Sequence, residues 1–237
     1  MTRTTNLVIR IDFDMKKIMY LIRGAKQESY SSFKRRILDL ADDMVLHQHP
    51  EKLKVVLTEN KPPTISIIPF KKKKLASISV VCRDETTMGE IDKIQGFAGS
   101  FDVTEALPVA YAKNWDDGIA TPGICLLTLF NKKKSIDYKT FIDRWHNSHT
   151  PLSLKLHPLW NYNRNVVDDM GKINAESWDG IVEEHCKTRA ELLNPFKFFG
   201  TPFHILPNMI AVYRDTKSFL DYGSIEPYLA MEYHIKS

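Results

Sequence analysis

One order of predicted elements occurs twice in this 237-residue chain, and it restricts the fold more than any other feature. Residues 18–23 form a short apolar run that is typical of a buried strand. The helix predicted to follow carries apolar side chains on one face, at positions 30, 33, 37, 40, 41 and 44. About 105 residues later the order returns, as strand 124–130 and a helix from residue 138. Both helices begin with the frame Tyr-x-x-Phe-x-x-Arg, so we infer an internal repeat.

The later parts of the two halves correspond as well. We predict second strands at 53–58 and 160–167, third strands at 75–82 and 178–186, helices at 86–97 and 188–199, and fourth strands at 107–111 and 209–213. Strand, helix, strand, strand, helix, strand is the ferredoxin-like order. For residues 226–235 two interpretations stay open: an added edge strand, or a segment that docks on a neighbouring subunit.

The repeat predicts an α+β fold of two tandem ferredoxin-like (βαββαβ) domains, residues 1–118 and 119–237, the second with a C-terminal extension. Pro122-Gly123 provides a natural joint between the halves. Each four-stranded sheet has helices on one face only, so the two bare faces would pack sheet to sheet and form a barrel within one chain. A chance succession of two unrelated α/β pieces is the alternative.

Composition and charge exclude several classes of protein. Hydrophobic residues make up 43%, which is too many for a disordered chain, and no apolar run reaches the roughly 18 residues of a membrane span. Three widely spaced cysteines argue against a disulfide scaffold, and the first residues lack a signal-peptide pattern, so we expect a soluble, cytoplasmic protein. The net charge of +4 comes largely from lysine runs at 71–74 and 132–134. We interpret these as solvated loops and predict neither nucleic acid nor a membrane as a partner.

Two histidines distinguish the second half from the first. His146 and His149 lie in the helix that begins at residue 138, where the first half has Leu38 and Ala41. Histidine suits proton transfer near neutral pH, although a histidine on an apolar stripe is also commonly a core residue. With no His-Glu-x-x-His motif and the other histidines scattered, we predict no metal site. Helical spacing places His146 on the flank of a core-facing stripe formed by Phe141, Trp145, His149 and Leu152.

Three short motifs in this half resemble the EthD family. They are Trp145-His-Asn-Ser-His149-Thr-Pro-Leu152, then Tyr162-Asn-Arg-Asn165 within a strand, then Asp179-Gly180 at the start of the next strand, and the resemblance covers about residues 122–225. The resemblance implies the dimeric α/β-barrel fold, with the first half as a degenerate partner domain. It also implies an apolar pocket with His and Tyr groups that handle protons, as in relatives that act as cofactor-free monooxygenases, polyketide cyclases or dehydratases. His149, Tyr162 and Asn165 match motif positions, and His146 matches less closely.

From these observations we expect a small enzyme of the EthD type that acts on an apolar, aromatic or polyketide-like molecule, as an oxidoreductase or as a dehydratase or cyclase. The predicted catalytic residues are His149, His146 and Tyr162, and the predicted substrate-binding residues are Trp145, Trp160 and Asn165. Strand alternation puts Trp160 and Tyr162 on one face and Asn165 on the other. Nothing in the sequence requires a metal, flavin or haem, and a homodimer is compatible with it. The alternative is a non-catalytic protein that carries a hydrophobic ligand or supports a partner oxygenase.

Overall fold

Eight strands form a closed antiparallel barrel at the centre of the computed structural model, which describes residues 15–83, 91–170 and 176–237. The strands run Lys16–Arg23 (β1), Lys52–Leu57 (β2), Leu75–Cys82 (β3), Phe97–Val109 (β4), Ile124–Phe130 (β5), Leu159–Met170 (β6), Gly180–Cys186 (β7) and Glu226–Lys236 (β8). Around the barrel their order is β1-β3-β2-β8-β5-β7-β6-β4, and β4 closes the circle on β1. The protein is therefore a mixed α+β fold built on one continuous barrel.

Two seams join strands from the first half of the chain to strands from the second. β2 pairs with β8, and β4 pairs with β6. Between the seams, the first half contributes the order β4-β1-β3-β2 and the second half the order β8-β5-β7-β6. The division of the chain into domains 1–118 and 119–237 stays a prediction.

Helices lie outside the barrel. They are α1 (Tyr30–Gln48), α2 (Tyr138–Asp143), a π-helical turn (Arg144–His149), α3 (Thr150–Leu156), α4 (Arg189–Leu193), α5 (Pro195–Phe198) and α6 (Ile205–Phe219), with a 3₁₀ turn at Ile91–Lys93. The predicted stripe of α1 is confirmed, since Phe33, Ile37, Ala41 and Met44 are buried. Ser29 begins that helix by accepting a hydrogen bond from the Ser32 N–H. None of the helices in the described ranges is both long and apolar enough to cross a membrane.

Alternation along the strands separates an interior core from exterior ones. Inside the barrel, Met19 and Val56 from the first half pack with Leu127 and Ala230 from the second, all of them buried. On the outside, one cluster lies between α1 and the first-half strands, and two lie between the second-half strands and their helices. Each strand of the second half therefore presents one face to the barrel interior and the other to the helices.

The ends of the second half differ from the sequence prediction. Residues 209–213, predicted as a strand, lie within α6. Residues 226–235, for which an edge strand and a docking segment were both open, belong to β8, the fourth strand of that half. A continuous apolar run of five residues fits a buried strand or a helix segment equally well, and this one belongs to a helix of 15 residues. β8 is also no edge strand, because it pairs on both sides, with β2 and with β5.

The remaining elements match the prediction to different degrees. The strands at 75–82 and 124–130 have the predicted bounds. The helix predicted at 188–199 is two short helices, because Pro195 starts a new one after Asn194. Part of the helix predicted at 86–97 lies outside the described residues, and the rest contains the 3₁₀ turn and the start of β4. The strand predicted at 107–111 lies mostly within β4.

Candidate functional site

The helix that carries the histidines contains one wide turn, and this turn decides which side chains face the sheet. Arg144–His149 is π-helical, and the Thr150 N–H donates to the Trp145 carbonyl five residues earlier. Pro151 follows directly; it has no N–H, and its ring would crowd the carbonyl four residues before it in a regular helix. Because of the extra residue, the buried positions after the turn are Thr150, Ser153 and His157 rather than Leu152.

A glycine in the sheet lets this helix approach closely. A Cβ atom at Gly180 would lie 2.5 Å from the Phe130 ring and 2.9 Å from the Trp145 ring. Trp145 is 1% exposed and packs edge-on against Phe130, with ring centroids 4.9 Å apart. Gly180 therefore allows Trp145 to form part of the wall of a cavity, as the predicted substrate-binding role requires.

A cavity of about 390 Å³ lies between the outer face of the second-half strands and the helices. Its volume falls in the range usual for small-molecule sites. We call it the helix-side cavity. Most of its wall is apolar and aromatic, formed by Leu126, Phe130, Trp145, Val182, Phe198, Phe199, Met209, Val212, Phe219 and Leu220. Such a wall favours an apolar ligand and excludes bulk water from the few polar groups that face it.

His149 is a polar group of this wall with both ring nitrogens hydrogen-bonded. Its Nδ1 lies 2.7 Å from Asp215 Oδ2, and its Nε2 lies 3.1 Å from Ser153 Oγ. Asp215, on α6, also accepts a hydrogen bond of 2.6 Å from the Ser148 hydroxyl. Burial acts to raise the pKa of Asp215, but the hydrogen bonds from His149 and Ser148 outweigh it and lower the pKa. An ionised Asp215 accepts the Nδ1 hydrogen, which fixes the ring orientation and leaves Nε2 without a proton, as the acceptor of the Ser153 hydroxyl.

Glu184 supplies a second titratable group to the same cavity. It points to the helix side of β7, and no side chain among the described residues hydrogen-bonds its carboxyl. Burial raises the pKa of Glu184 to about 7, against the opposing effect of positive charge on His149 and His185. A carboxyl group with a pKa near 7 exchanges a proton readily at neutral pH, which suits a general acid or base.

Two further polar side chains in the wall stay neutral. Tyr162 is 1% exposed, and burial, reinforced by the charge of Glu184, raises the pKa of its phenol. The ring of His157 stacks on Phe198 with centroids 4.0 Å apart. Burial lowers the pKa of His157 to about 4, although its hydrogen bond to the Phe198 carbonyl opposes this. Tyr162 can therefore donate a hydrogen bond to an oxygen of a bound molecule, while His157 completes the wall.

The structure brings together three of the six predicted site residues: Trp145, His149 and Tyr162 line the helix-side cavity. His146 lies outside its wall, and burial followed by the charge of Arg164 lowers the pKa of His146 to about 4. Asn165 faces the barrel interior, where it accepts a hydrogen bond of 2.7 Å from Lys17. The alternation that separates Tyr162 from Asn165 is therefore as predicted.

Trp160 also lies away from the cavity, contrary to the alternation predicted for it. An irregularity in the pairing of β6 with β7 falls between Leu159 and Asn161. Trp160 packs on Tyr111 with ring centroids 5.0 Å apart, and Tyr111 hydrogen-bonds groups inside the barrel. A β-bulge redirects side chains in this way, so strict alternation does not hold at the start of β6.

Sequence reasoning missed three polar groups of the site. Glu184 had a signal, because it alternates with the apolar Val182 and Cys186 on the helix-facing side of a strand. Ser153 follows His149 by four residues, a spacing that makes helical neighbours. Asp215 had no signal in the sequence, because the preceding residues 209–213 were predicted as a strand and not as part of the helix that contains Asp215.

Two other kinds of chemistry fit the site less well. Ser153, His149 and Asp215 are ordered like a hydrolase triad, but Ser153 is fully buried within a helix, whose N–H groups are engaged and form no oxyanion hole. In the described parts of the chain, no three His, Cys, Asp or Glu side chains converge in a way that could hold a metal ion.

Comparison with known proteins gives likenesses of structure. No family model matches the chain, and no curated protein matches it significantly. An anthrone oxidase-like protein superposes with a TM-score of 0.60 and 10% identity, over 93% of this chain and 91% of that one. A candidate monooxygenase from Fusobacterium nucleatum gives 0.48 and 12%, over 94% and 92% of the two chains. One from Lactobacillus acidophilus gives 0.46 and 10%, over 94% and 97%. The first likeness shows that this chain shares an α/β-barrel fold with the anthrone oxidase-like protein.

Proposed function

We propose that this protein is a proton-transfer enzyme that acts on an apolar, aromatic small molecule in the helix-side cavity. The observation that carries the proposal is the pair of His149, held by Asp215, and Glu184 in one largely apolar cavity. A carrier needs only the apolar wall, whereas an oriented imidazole and an unpaired carboxyl cost stability in such surroundings. Groups of this kind are typical of active sites.

In the proposed mechanism, the bound substrate takes the place of the Ser153 hydroxyl at His149 Nε2, and Nε2 removes a proton from an activated C–H or phenolic O–H of the substrate. Asp215 stabilises the imidazolium that forms, as a carboxylate does for a histidine base. Tyr162, a neutral phenol, donates a hydrogen bond to the oxygen on which negative charge develops. Glu184 then exchanges the proton with the product, because its pKa lies near neutrality.

Oxidation by dioxygen is the reaction class that we propose first, prompted by the name of the anthrone oxidase-like protein. Deprotonation of a methylene group between two aromatic rings gives a carbanion that dioxygen can oxidise without a further cofactor. The methylene becomes a carbonyl. One atom of dioxygen becomes the carbonyl oxygen, and the other leaves as water with the two methylene hydrogens. Dehydration and cyclisation begin with the same proton transfer and remain alternatives within this proposal.

We propose that the chain is EthD-like and that its barrel consists of two ferredoxin-like halves in tandem. The strand orders β4-β1-β3-β2 and β8-β5-β7-β6 support this division, because both follow one pattern. Only the second half then carries the proton-transfer groups, since Leu38 and Ala41 occupy the corresponding positions in the first.

Solvent exchange tests proton transfer separately from oxidation. The full chain is incubated without oxygen in D₂O with 1,8-dihydroxyanthrone, and deuterium entry at the methylene is followed by NMR; with oxygen admitted, oxygen uptake is recorded. We expect both activities, and in His149→Ala a loss of exchange of about 100-fold or more. His47→Ala, an exposed histidine on α1, is the matched control and should change neither rate.

The alternative function is a non-catalytic carrier of hydrophobic ligands or an accessory to a partner oxygenase. The largely apolar wall of the cavity favours it. Binding measured by fluorescence quenching separates the two functions. Tight binding with no exchange in the wild-type protein, and equal loss of affinity and stability in His149→Ala, would support the carrier.

A further inference from the structure

The barrel interior is apolar in its middle and carries charged side chains towards its ends. On β1, β2 and β8, the inward-facing Met19, Val56 and Ala230 belong to the apolar middle. Two residues away on the same strands lie Lys17, Lys54 and Glu232. We call this the polar barrel end, defined by Lys17, Lys54, Glu105, Asn163, Glu183 and Glu232.

These charges are buried and matched to one another. Lys17 donates to Glu105 at 2.5 Å, and Lys54 pairs with Glu183 and with Glu232. Glu183 and Glu232 are almost fully buried. Buried ion pairs give little net stability compared with apolar residues of similar volume.

A second cavity, of about 480 Å³, lies against the polar barrel end. It shares no lining residue with the helix-side cavity, and β6 separates the two: Tyr162 faces one, while Asn161 and Asn163 face the other. The space is large enough for a small metabolite.

Several groups in the wall of this second cavity have hydrogen-bonding capacity left over. Asn163 Oδ1 and Ser79 Oγ are buried and have no partner among the described residues. Each ammonium has three N–H donors. Lys17 uses two of them, on Glu105 and Asn165, while Lys54 uses one on Glu183 and forms an ion pair with Glu232 at 3.2 Å. The wall therefore offers acceptors for a hydroxyl group and donors for a carboxylate.

Lysine is the commonest charged residue in the wall of this second cavity. Five lysines line the cavity, against one carboxylate side chain: Lys17, Lys52, Lys54, Lys113 and Lys236, and Glu105. Glu183 and Glu232 lie behind Lys54, and Asp117 pairs with Lys113. These carboxylates pair with Lys17, Lys54 and Lys113, so Lys52 and Lys236 are the lysines of this wall without a carboxylate partner among the described residues. A basic rim of this kind attracts small anions.

We propose that the polar barrel end is a second binding site, independent of the helix-side cavity, for a small organic acid with a carboxylate and a hydroxyl group. The carboxylate takes the remaining N–H donors of Lys17 and Lys54, and the hydroxyl donates to Asn163 Oδ1. Lys52 draws the anion toward the mouth of the cavity.

Four hydroxy acids test this site on the full chain: lactate, malate, citrate and gluconate, by ligand-observed NMR followed by calorimetry. Succinate, which lacks the hydroxyl, and glycerol, which lacks the carboxylate, are the comparison compounds. We expect at least one hydroxy acid to bind about tenfold more tightly than either. Asn163→Leu should weaken that binding about tenfold and Lys52→Gln severalfold, while Lys134→Gln, an exposed lysine elsewhere, should leave it unchanged.

Circular dichroism checks that each variant folds, and Ser79→Ala replaces Asn163→Leu if the latter does not. Failure of all four acids to bind overturns the proposal, as does equal weakening by Lys52→Gln and Lys134→Gln, which indicates nonspecific charge. His149→Ala should leave this binding intact, so the site stands or fails separately from the proposed enzyme function.

Discussion

His149 Nδ1 lies 2.7 Å from Asp215 Oδ2, although the two residues are 66 positions apart in the chain. The hydrogen bond joins the π-helical turn to α6 beside the helix-side cavity, which His149 lines. It gives His149 the fixed orientation that a general base needs, and it links that orientation to the position of α6.

Replacing Asp215 tests this orientation. Asp215→Asn removes the negative charge that stabilises the imidazolium, so we expect the rate of methylene exchange to fall about 100-fold with ligand affinity little changed. Asp116→Asn, at an exposed carboxylate, is the control and should exchange at the wild-type rate. Wild-type exchange by Asp215→Asn would remove Asp215 from the mechanism.

Glu184 should make stability depend on pH in an unusual direction. Its folded pKa, about 7, lies above the ordinary value of 4.5, so the stabilisation is complete below about pH 4.5 and is lost as the pH rises through 7. Glu184→Gln has no such loss. We expect its free energy of unfolding, relative to the wild type, to be of order 1–3 kcal/mol higher at pH 8.5 than at pH 5, as measured by urea unfolding. For Glu51→Gln, an exposed control, the free energy of unfolding relative to the wild type should be the same at both pH values. If Glu184→Gln also shows the same value at both, the pKa of the Glu184 carboxyl is not raised.

Gly180→Ala should disturb the cavity from the sheet side. The added Cβ would meet the rings of Phe130 and Trp145 at 2.5 and 2.9 Å, and both rings are packed on their other sides. Overpacking of this kind costs about 1–3 kcal/mol of unfolding free energy. At Gly223 the nearest atom would lie 3.4 Å away, so Gly223→Ala should be nearly neutral in the same denaturant titration. Equal stabilities of the two variants would show that Trp145 can move aside.

Lys54→Met should leave two buried carboxylates without their ammonium partner. Removal of one partner from a buried ion pair typically costs about 3–5 kcal/mol. The pKa of Glu232 is lowered well below its usual range, by positive charge on His185 and Lys54 that outweighs burial. Its contribution is therefore present above about pH 4.5 and lost in more acid solution, so the deficit of Lys54→Met should shrink as the pH falls. Urea unfolding at pH 7 and pH 4, with exposed Lys134→Met as control, checks both statements; a deficit that grows in acid contradicts them.

The secondary structure of some segments could be predicted from the sequence, and that of others could not. The strand Ile124–Phe130 was predictable because it is a continuous apolar run bounded by Gly123 and Asn131. α6 was not, because residues 209–213 alone fit either element. The position of residues 226–236 within the sheet could not be predicted either. Their strand pairs, such as Val55 with Tyr233, depend on how all the strands of the barrel are arranged.

The site follows the same division. His149 and Tyr162 could be predicted from local motifs, and they do share a cavity. The shift that buries Ser153 needs the π-helical turn, which no regular periodicity describes. The bulge that turns Trp160 away is likewise a local departure from the pattern on which the prediction depends.

The position of β8 has a consequence for how the molecule is made on the ribosome. β8 is the last strand in chain order, yet it lies between β2 and β5 and forms one of the two seams. During synthesis, the earlier strands are complete while β2 still exposes an unpaired edge, open to association with other nascent chains. The barrel can therefore close only after residues 226–236 have been synthesised. A chain truncated before this segment should be aggregation-prone and depend on chaperones, rather than form a smaller barrel.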